Sequence, residues 1–311
     1  EVDARPALVY RPSVTPAEVE ELLRSPLVAG MAFLFGALWG SFWNVCIARV
    51  PRGMSVVHPG SHCFACGKPV RFFDNVPFLS YLLLRGRCRA CGARFSPRYL
   101  LVELAGGLGA LGVHWLFVAD APGVPLGVRA ARFFTYFAFV GVLTVLSFID
   151  LDTKRLPDVI TLPSVAVFYL AGFGTHDASW GARAIGAAAG YLSVRLIGDA
   201  YWYLRGREGL GLGDGKLLAV IGALLGWKAL IPVIFFASFV GVLVSVPILL
   251  YQRAHAPPAP GPEPPAEPAG DDDEADEGLG KSEVPFGPFL AASALAYLFG
   301  GRALWESLLG S

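Results

Sequence analysis

Residues 209–227 read GLGLGDGKLLAVIGALLGW, a glycine-rich turn that delivers one carboxylate, Asp214, to the mouth of an apolar helix. A second apolar run ends in the same way at residues 148–158, FIDLDTKRLPD, where Asp150 and Asp152 follow hydrophobic sequence directly. Ionisable side chains at a membrane edge are costly and mark function. Two such approaches in one chain point to a paired-carboxylate site, and the sharpest reading is an aspartyl protease working within the membrane.

The chain around these stretches has the composition such a site needs. With 54% hydrophobic residues, 16% charged residues and a mean hydropathy of +0.54, it is too apolar for an ordinary soluble domain. The expectation is an all-α polytopic membrane protein of about eight transmembrane helices. The formal net charge of zero hides a sorting of charge: Lys and Arg gather in a few connecting segments and leave the apolar runs almost bare. That distribution sets orientation. Nothing in it suggests a nucleic-acid surface, and the expected surroundings are membrane lipid.

Three parts are expected. Residues 1–26 form an N-terminal leader segment, read as an interfacial or disordered stretch in which residues 15–23 have the makings of a short helix, with Thr15 as N-cap and Pro16 in the first helical position. Residues 27–119 hold the first two spans, 27–50 and 99–119, with a hydrophilic cytoplasmic domain, 51–98, inserted between them. Residues 120–311 form a six-helix membrane domain with spans at 130–149, 159–174, 181–203, 216–227, 230–251 and 285–305. The sixth of the eight spans is short for a full crossing and is expected to tilt or to cover part of the bilayer. Residues 252–283 are Pro-rich, then acidic, and are read as a disordered cytoplasmic loop.

The inserted domain carries Cys63-x-x-Cys66 and Cys88-x-x-Cys91, each pair followed by glycine, Gly67 and Gly92. Two such knuckles bring four thiolates to the corners of one tetrahedron, the arrangement of a closed structural zinc site. The rival, a pair of disulfides, requires an oxidising compartment. The crowd of Arg and Lys from Arg49 to Arg98 places the segment in the cytoplasm, where thiols stay reduced. Arg129 and Arg132, at the outer end of the third span, are exceptions to the charge rule. Cys46, inside the first span, is read as a small apolar residue. Gly30, Gly36, Gly40 and Ser41 give that span a face for close helix packing. Its polar end, Asn44 and Arg49, is placed to contact a ligand at the membrane edge, and Glu103 is read as either a cap or a functional acid.

Several separate stretches together resemble the prepilin peptidase family, the type IV leader peptidases, which are membrane aspartyl proteases of the GxGD type. They are GSFWNVCIARVP (40–51), the two CxxC pairs flanking NVPFLSYLLLRGRC (75–88), SPRYLLVE (96–103), FIDLDTKRLPD, EGLGLGDGKLLA (208–219) and VPFGPFLA (284–291). Phe64 and Tyr81 depart from the family's usual Pro and Trp, and the acidic loop looks like an insertion. The resemblance implies a catalytic pair of Asp150 and Asp214. Gly211, Gly213, Asp152, Asp158 and Lys216 then support the catalytic loops.

It also implies a bacterial inner-membrane enzyme with its zinc domain and active site toward the cytoplasm. The substrate would be a prepilin or pseudopilin with a hydrophobic N-terminal stem, cut after a short basic leader. The new amino terminus would then be methylated with S-adenosylmethionine, for which Asn44 and Arg49 are the candidate contacts. The competing readings are a proton- or cation-coupled transporter using intramembrane acids and a noncatalytic zinc-bearing membrane scaffold.

Overall fold

The computed structural model describes residues 15–206, 211–254, 285–301, 305 and 307. Residues 1–14 of the expected leader and 255–283 of the expected disordered loop lie outside the described residues.

The described residues open with α1 (Pro16–Arg24), which occupies the stretch with the makings of a short helix. Its first turn is closed reciprocally, since Thr15 Oγ1 accepts the Glu18 N–H at 3.3 Å and the Glu18 carboxylate accepts the Thr15 N–H at 2.7 Å. The remaining helices are α2 (Pro26–Arg49), α3 (Leu79–Leu83), α4 (Arg98–His114), α5 (Leu126–Thr153), α6 (Asp158–Thr175), α7 (Trp180–Arg205), α8 (Leu212–Leu225), α9 (Trp227–Ala254) and α10 (Gly287–Ala296). A π turn extends α4 over Trp115–Ala119, and another extends α10 over Tyr297–Gly301. Among the described residues, each of the eight stretches expected to span contributes to a helix, and five helices, α2, α4, α5, α6 and α9, are long and apolar enough to cross a membrane. The protein is a polytopic all-α membrane protein carrying a four-cysteine domain.

Lipid is as apolar as the side chains, so helices in it associate through close fit and small residues. Two pairs here use glycine in this way. On α2, Cβ atoms added at Gly36 and Gly40 would lie 2.6 Å from the Ala110 side chain and 2.7 Å from the Glu103 backbone of α4. On α7, a Cβ added at Gly186 would lie 2.5 Å from the Gly222 carbonyl oxygen of α8, and one at Gly190 would meet the Leu218 backbone at 2.6 Å. These approaches sink α8 into the bundle, where α6, α7, α9 and α10 all contact it and every residue from Leu217 to Leu224 is buried. Its 14 residues extend about 21 Å. A helix sheathed in protein has no need to match the lipid thickness, which accounts for a sixth span this short.

Several boundaries differ from expectation. The third span continues through Asp150 and Asp152 to Thr153, so both acids stand on helix α5 and not in the following turn. Lys154, in the left-handed region at φ 52°, ends the helix, and Pro157 serves as the N-cap residue of α6. Residues 252–254, expected to begin a disordered loop, complete α9.

The arginines that break the charge rule also find their reason. Arg129 donates to the carbonyls of Val118 (3.1 Å) and Val124 (2.8 Å) and pairs with Glu20 of α1. Arg24 donates to Ala119 O (3.1 Å), and Arg132 pairs with Asp177 at 2.7 Å. Arg129 and Arg24 close the carbonyl-rich end of the extended α4, where cations are favoured.

Substituting Gly222→Ala forces a Cβ against the Gly186 carbonyl and should cost about 1–3 kcal/mol, read as a melting temperature lowered by several degrees in detergent. Gly30→Ala, which meets nothing within 4 Å, should leave the melting temperature unchanged or raise it.

Candidate functional site

Helix ends from four parts of the chain converge at the end of the bundle where α5 terminates. Asp150 lies in the last turn of α5 with 6% of its surface exposed. Its Oδ2 accepts the backbone N–H of Gly287, the first residue of α10, at 3.0 Å. Only glycine fits there, because a Cβ at 287 would stand 2.5 Å from that same oxygen.

Asp214 arrives from the other side, in the first turn of α8, where its N–H donates to the Gly211 carbonyl at 3.1 Å. Gly213 packs beside Leu156 of the α5–α6 turn, at a spacing of 3.4 Å from where its Cβ would be. Asp214 is half-buried and near enough to Asp150 for the two carboxylates to feel one another's charge. One acid is enclosed and the other reaches water.

The surrounding acids are held by bases distant in sequence. Asp152, although Lys154 and Arg155 are close by in the chain, pairs with Arg98 at the start of α4, through contacts of 2.6 and 2.8 Å. The same guanidinium donates to the Phe148 carbonyl at 2.9 Å and lies 4.7 Å over the Phe148 ring. Arg98 thus grips the final turn of α5 on both sides of Asp150. Asp158 pairs with Lys216, joining the start of α6 to the first turns of α8. Arg98 is the residue that sequence reading missed. It stands 54 positions from Asp152, and no local spacing announces the pair.

The four cysteines form a second centre. Their Sγ atoms all lie within 4.8 Å of one another, with Cys63 and Cys91 at 3.8 Å. The two knuckles repeat one backbone design. The Gly67 N–H bonds the Cys63 carbonyl at 2.8 Å and the Gly92 N–H bonds the Cys88 carbonyl at 2.9 Å. Both glycines take the positive φ that such a turn requires, 69° and 72°. The N–H groups of Cys91 and Ala90 point at the Cys88 sulfur and pull its thiol down to about 7. Thiolates 2.3 Å from a tetrahedral zinc stand about 3.8 Å apart, so the donor set fits that metal.

Between α2, α3, α4 and the knuckles lies a cleft whose walls include Phe64, Tyr81, Phe95, Tyr99 and Glu103. Asn44 and Arg49 line it too, with their donors engaged by the protein. Asn44 Nδ2 bonds the carbonyls of Gly40 (3.3 Å) and Tyr99 (3.0 Å), while Arg49 clamps those of Ser55, Pro59 and Gly60 at 3.0, 2.7 and 3.1 Å. Their placement is that of braces for the cleft and the entry to the four-cysteine domain. Glu103 accepts the Phe78 N–H at 2.9 Å and so ties α3 to α4.

Both halves of this arrangement have known counterparts. Residues 34–117 match the bacterial peptidase A24 N-terminal domain, and residues 137–246 match the type IV leader peptidase family. Among curated proteins, the chain is 36% identical over 299 residues to the prepilin leader peptidase/N-methyltransferase of Aeromonas hydrophila, covering 88% of this chain and 91% of that one. It is 39% identical over 246 residues to the protein of the same name from Myxococcus xanthus, covering 79% and 70%. With the Klebsiella pneumoniae protein of that name it shares 40% identity over 212 residues, covering 66% and 89%. No solved structure matches the chain. The chain belongs to the type IV leader peptidase family.

Proposed function

We propose that this protein is a membrane aspartyl endopeptidase. It removes the short basic leader of a prepilin or pseudopilin at the cytoplasmic edge of the bacterial inner membrane and then N-methylates the exposed amino terminus. The observation that carries the peptidase reading is the distribution of charge partners among the described residues at that end. Asp74, Asp152, Asp158 and Asp199 each have a basic partner, whereas Asp150 and Asp214 have no ion pair and lie within reach of one another's charge. Cations held by the supporting acids do not neutralise the pair.

Two close carboxylates do not both ionise cheaply and share a proton. The ionised member takes a proton from water as its oxygen attacks the scissile carbonyl, and the protonated member gives its proton to the carbonyl oxygen. Collapse of the tetrahedral intermediate breaks the C–N bond, and the departing nitrogen takes up a proton from the pair. The extended backbone at Gly211 and the bare Gly213 leave room for a peptide strand beside Asp214. A hydrophobic stem remains in lipid while the leader reaches the carboxylates from water. A transporter would leave the four-cysteine domain without a task, and a scaffold would leave the unpaired acids without one.

Cys63, Cys66, Cys88 and Cys91 hold a structural zinc that fixes the inserted domain. For methylation, S-adenosylmethionine when bound supplies a methyl carbon on a positively charged sulfur. The cleft suits such a molecule in this chain's own chemistry: Phe95 and Tyr99 offer rings for a purine face, and the Glu103 carboxylate offers negative charge to a cation. Its place beside α2 and α4 keeps it at the same membrane edge as the acids.

Asp150→Asn and Asp214→Asn should each lower leader removal by on the order of 10³-fold while membrane insertion and zinc content stay unchanged, scored by product mass from a purified prepilin. Protein purified without chelator should carry about one zinc per chain by elemental analysis, and Cys63→Ser or Cys88→Ser should lower both that content and the melting temperature. Phe95→Ala should weaken S-adenosylmethionine binding by about 10-fold or more, measured by calorimetry, with leader cleavage retained.

A further inference from the structure

The stretch between the two knuckles belongs to a segment read as a hydrophilic domain, yet its tip packs alongside apolar helices α2 and α4. Phe78 donates its N–H to Glu103, which stands five residues inside α4 and therefore about 7.5 Å beyond Arg98. The Phe78 ring stacks on Phe33 of α2, centroids 5.7 Å apart. Phe33 in turn lies against Gly107, nine residues or about 13.5 Å along α4. At that depth α4 shows its own apolar residues outward, Leu101, Leu104 and Leu108. The segment is accordingly carried past the ring of charge formed by Arg98 and Asp152 and lies alongside two spanning helices.

Asp74, Asn75, Val76, Ser80, Tyr81 and Leu84 line the cleft. Phe72, Leu82 and Leu83 turn outward with 86%, 65% and 71% of their surfaces uncovered, beside exposed Leu79 and Phe73. Arg71 precedes these residues, Arg85 and Arg87 follow them, and all three are exposed. The backbone is also provisioned for a place without water, where each polar group must find a partner inside the protein. Ser80 Oγ accepts the Val76 N–H at 3.0 Å and donates to the Phe73 carbonyl at 2.9 Å. The N–H groups of Ser80, Leu82, Leu84, Arg85, Gly86 and Arg87 all bond carbonyls within the segment, and Pro77 has none to place.

We infer that residues 72–84 form a wedge seated in the cytoplasmic leaflet, with Phe72, Leu79, Leu82 and Leu83 against lipid acyl chains. Arg71, Arg85 and Arg87 lie at the level of the anionic headgroups. The wedge separates the cleft from the bilayer, so one face of α3 meets lipid and the other meets whatever occupies the cleft. This inference stands on the depth and exposure of the segment and is independent of the reaction assigned to the acids.

The test places an environment-sensitive fluorescent amino acid at Leu82 by codon suppression, which spares the cysteines, in full-length protein reconstituted into nanodiscs. Parallel probes at Leu83, at Leu108 on α4 and at Phe64 on the first knuckle provide the references. The Leu82 and Leu83 probes should emit at shorter wavelength than the Phe64 probe. Brominated lipid should quench them at least several-fold more than aqueous iodide does, as at Leu108, whereas Phe64 should show the reverse. Quenching of Leu82 and Leu83 by iodide alone overturns the wedge. Shielding from both quenchers overturns it in favour of a second copy of the chain or a peptide covering the face. Failure of the Leu108 probe to respond to brominated lipid overturns the membrane seat of α4 and the wedge with it.

Discussion

In a medium that exerts no hydrophobic force between helices, this structure rests on how closely two backbones can approach. Where Gly186 meets Gly222 and Gly36 meets Gly106, no side chain keeps the helices apart, and carbonyl oxygens lie where a Cβ would otherwise be. The first contact draws α8 against α7 and allows α6, α9 and α10 to close round it. A helix so enclosed has its first turn fixed in direction, and Asp214 is in that turn. The second contact fixes α2 on α4 and places Glu103 where it can anchor the segment bearing α3. Packing thus comes before polarity: the close fit of glycine surfaces decides where the carboxylates point.

Much of this was readable from the chain because it is local. The two cysteine knuckles announce themselves by spacing and a following glycine, and the described turns repeat one hydrogen-bond pattern. The apolar runs gave all eight helices, since length and hydrophobicity are properties of a segment by itself. Asp214, at the mouth of an apolar run, was equally visible.

What sequence could not supply was pairing across distance. Asp152 has Lys154 and Arg155 close by in sequence, yet helix α5 continues to Thr153 and turns that acid toward Arg98. A left-handed Lys154 ends that helix, three residues before the proline that opens the next one. Arg129 breaks the expected charge asymmetry until Glu20 and the carbonyls at the end of α4 are seen around it. Averaging over residues 51–98 also hid an apolar tip inside a basic segment. Arg98 has the widest reach of these: from the first residue of α4 it binds the last turn of α5, so the two regions that match separate family descriptions share one hydrogen-bonded joint.

Gly287 carries a consequence for how the molecule comes into being. The amide that Asp150 holds belongs to helix α10, 137 residues further along the chain and beyond the acidic stretch. During synthesis, the third and sixth spans enter the bilayer well before that amide exists, and the enclosed acid waits without its donor. A chain that ends before residue 287 therefore retains both carboxylates yet lacks the backbone group that seats one of them, so the order of synthesis delays completion of that pocket until the last described helix is made.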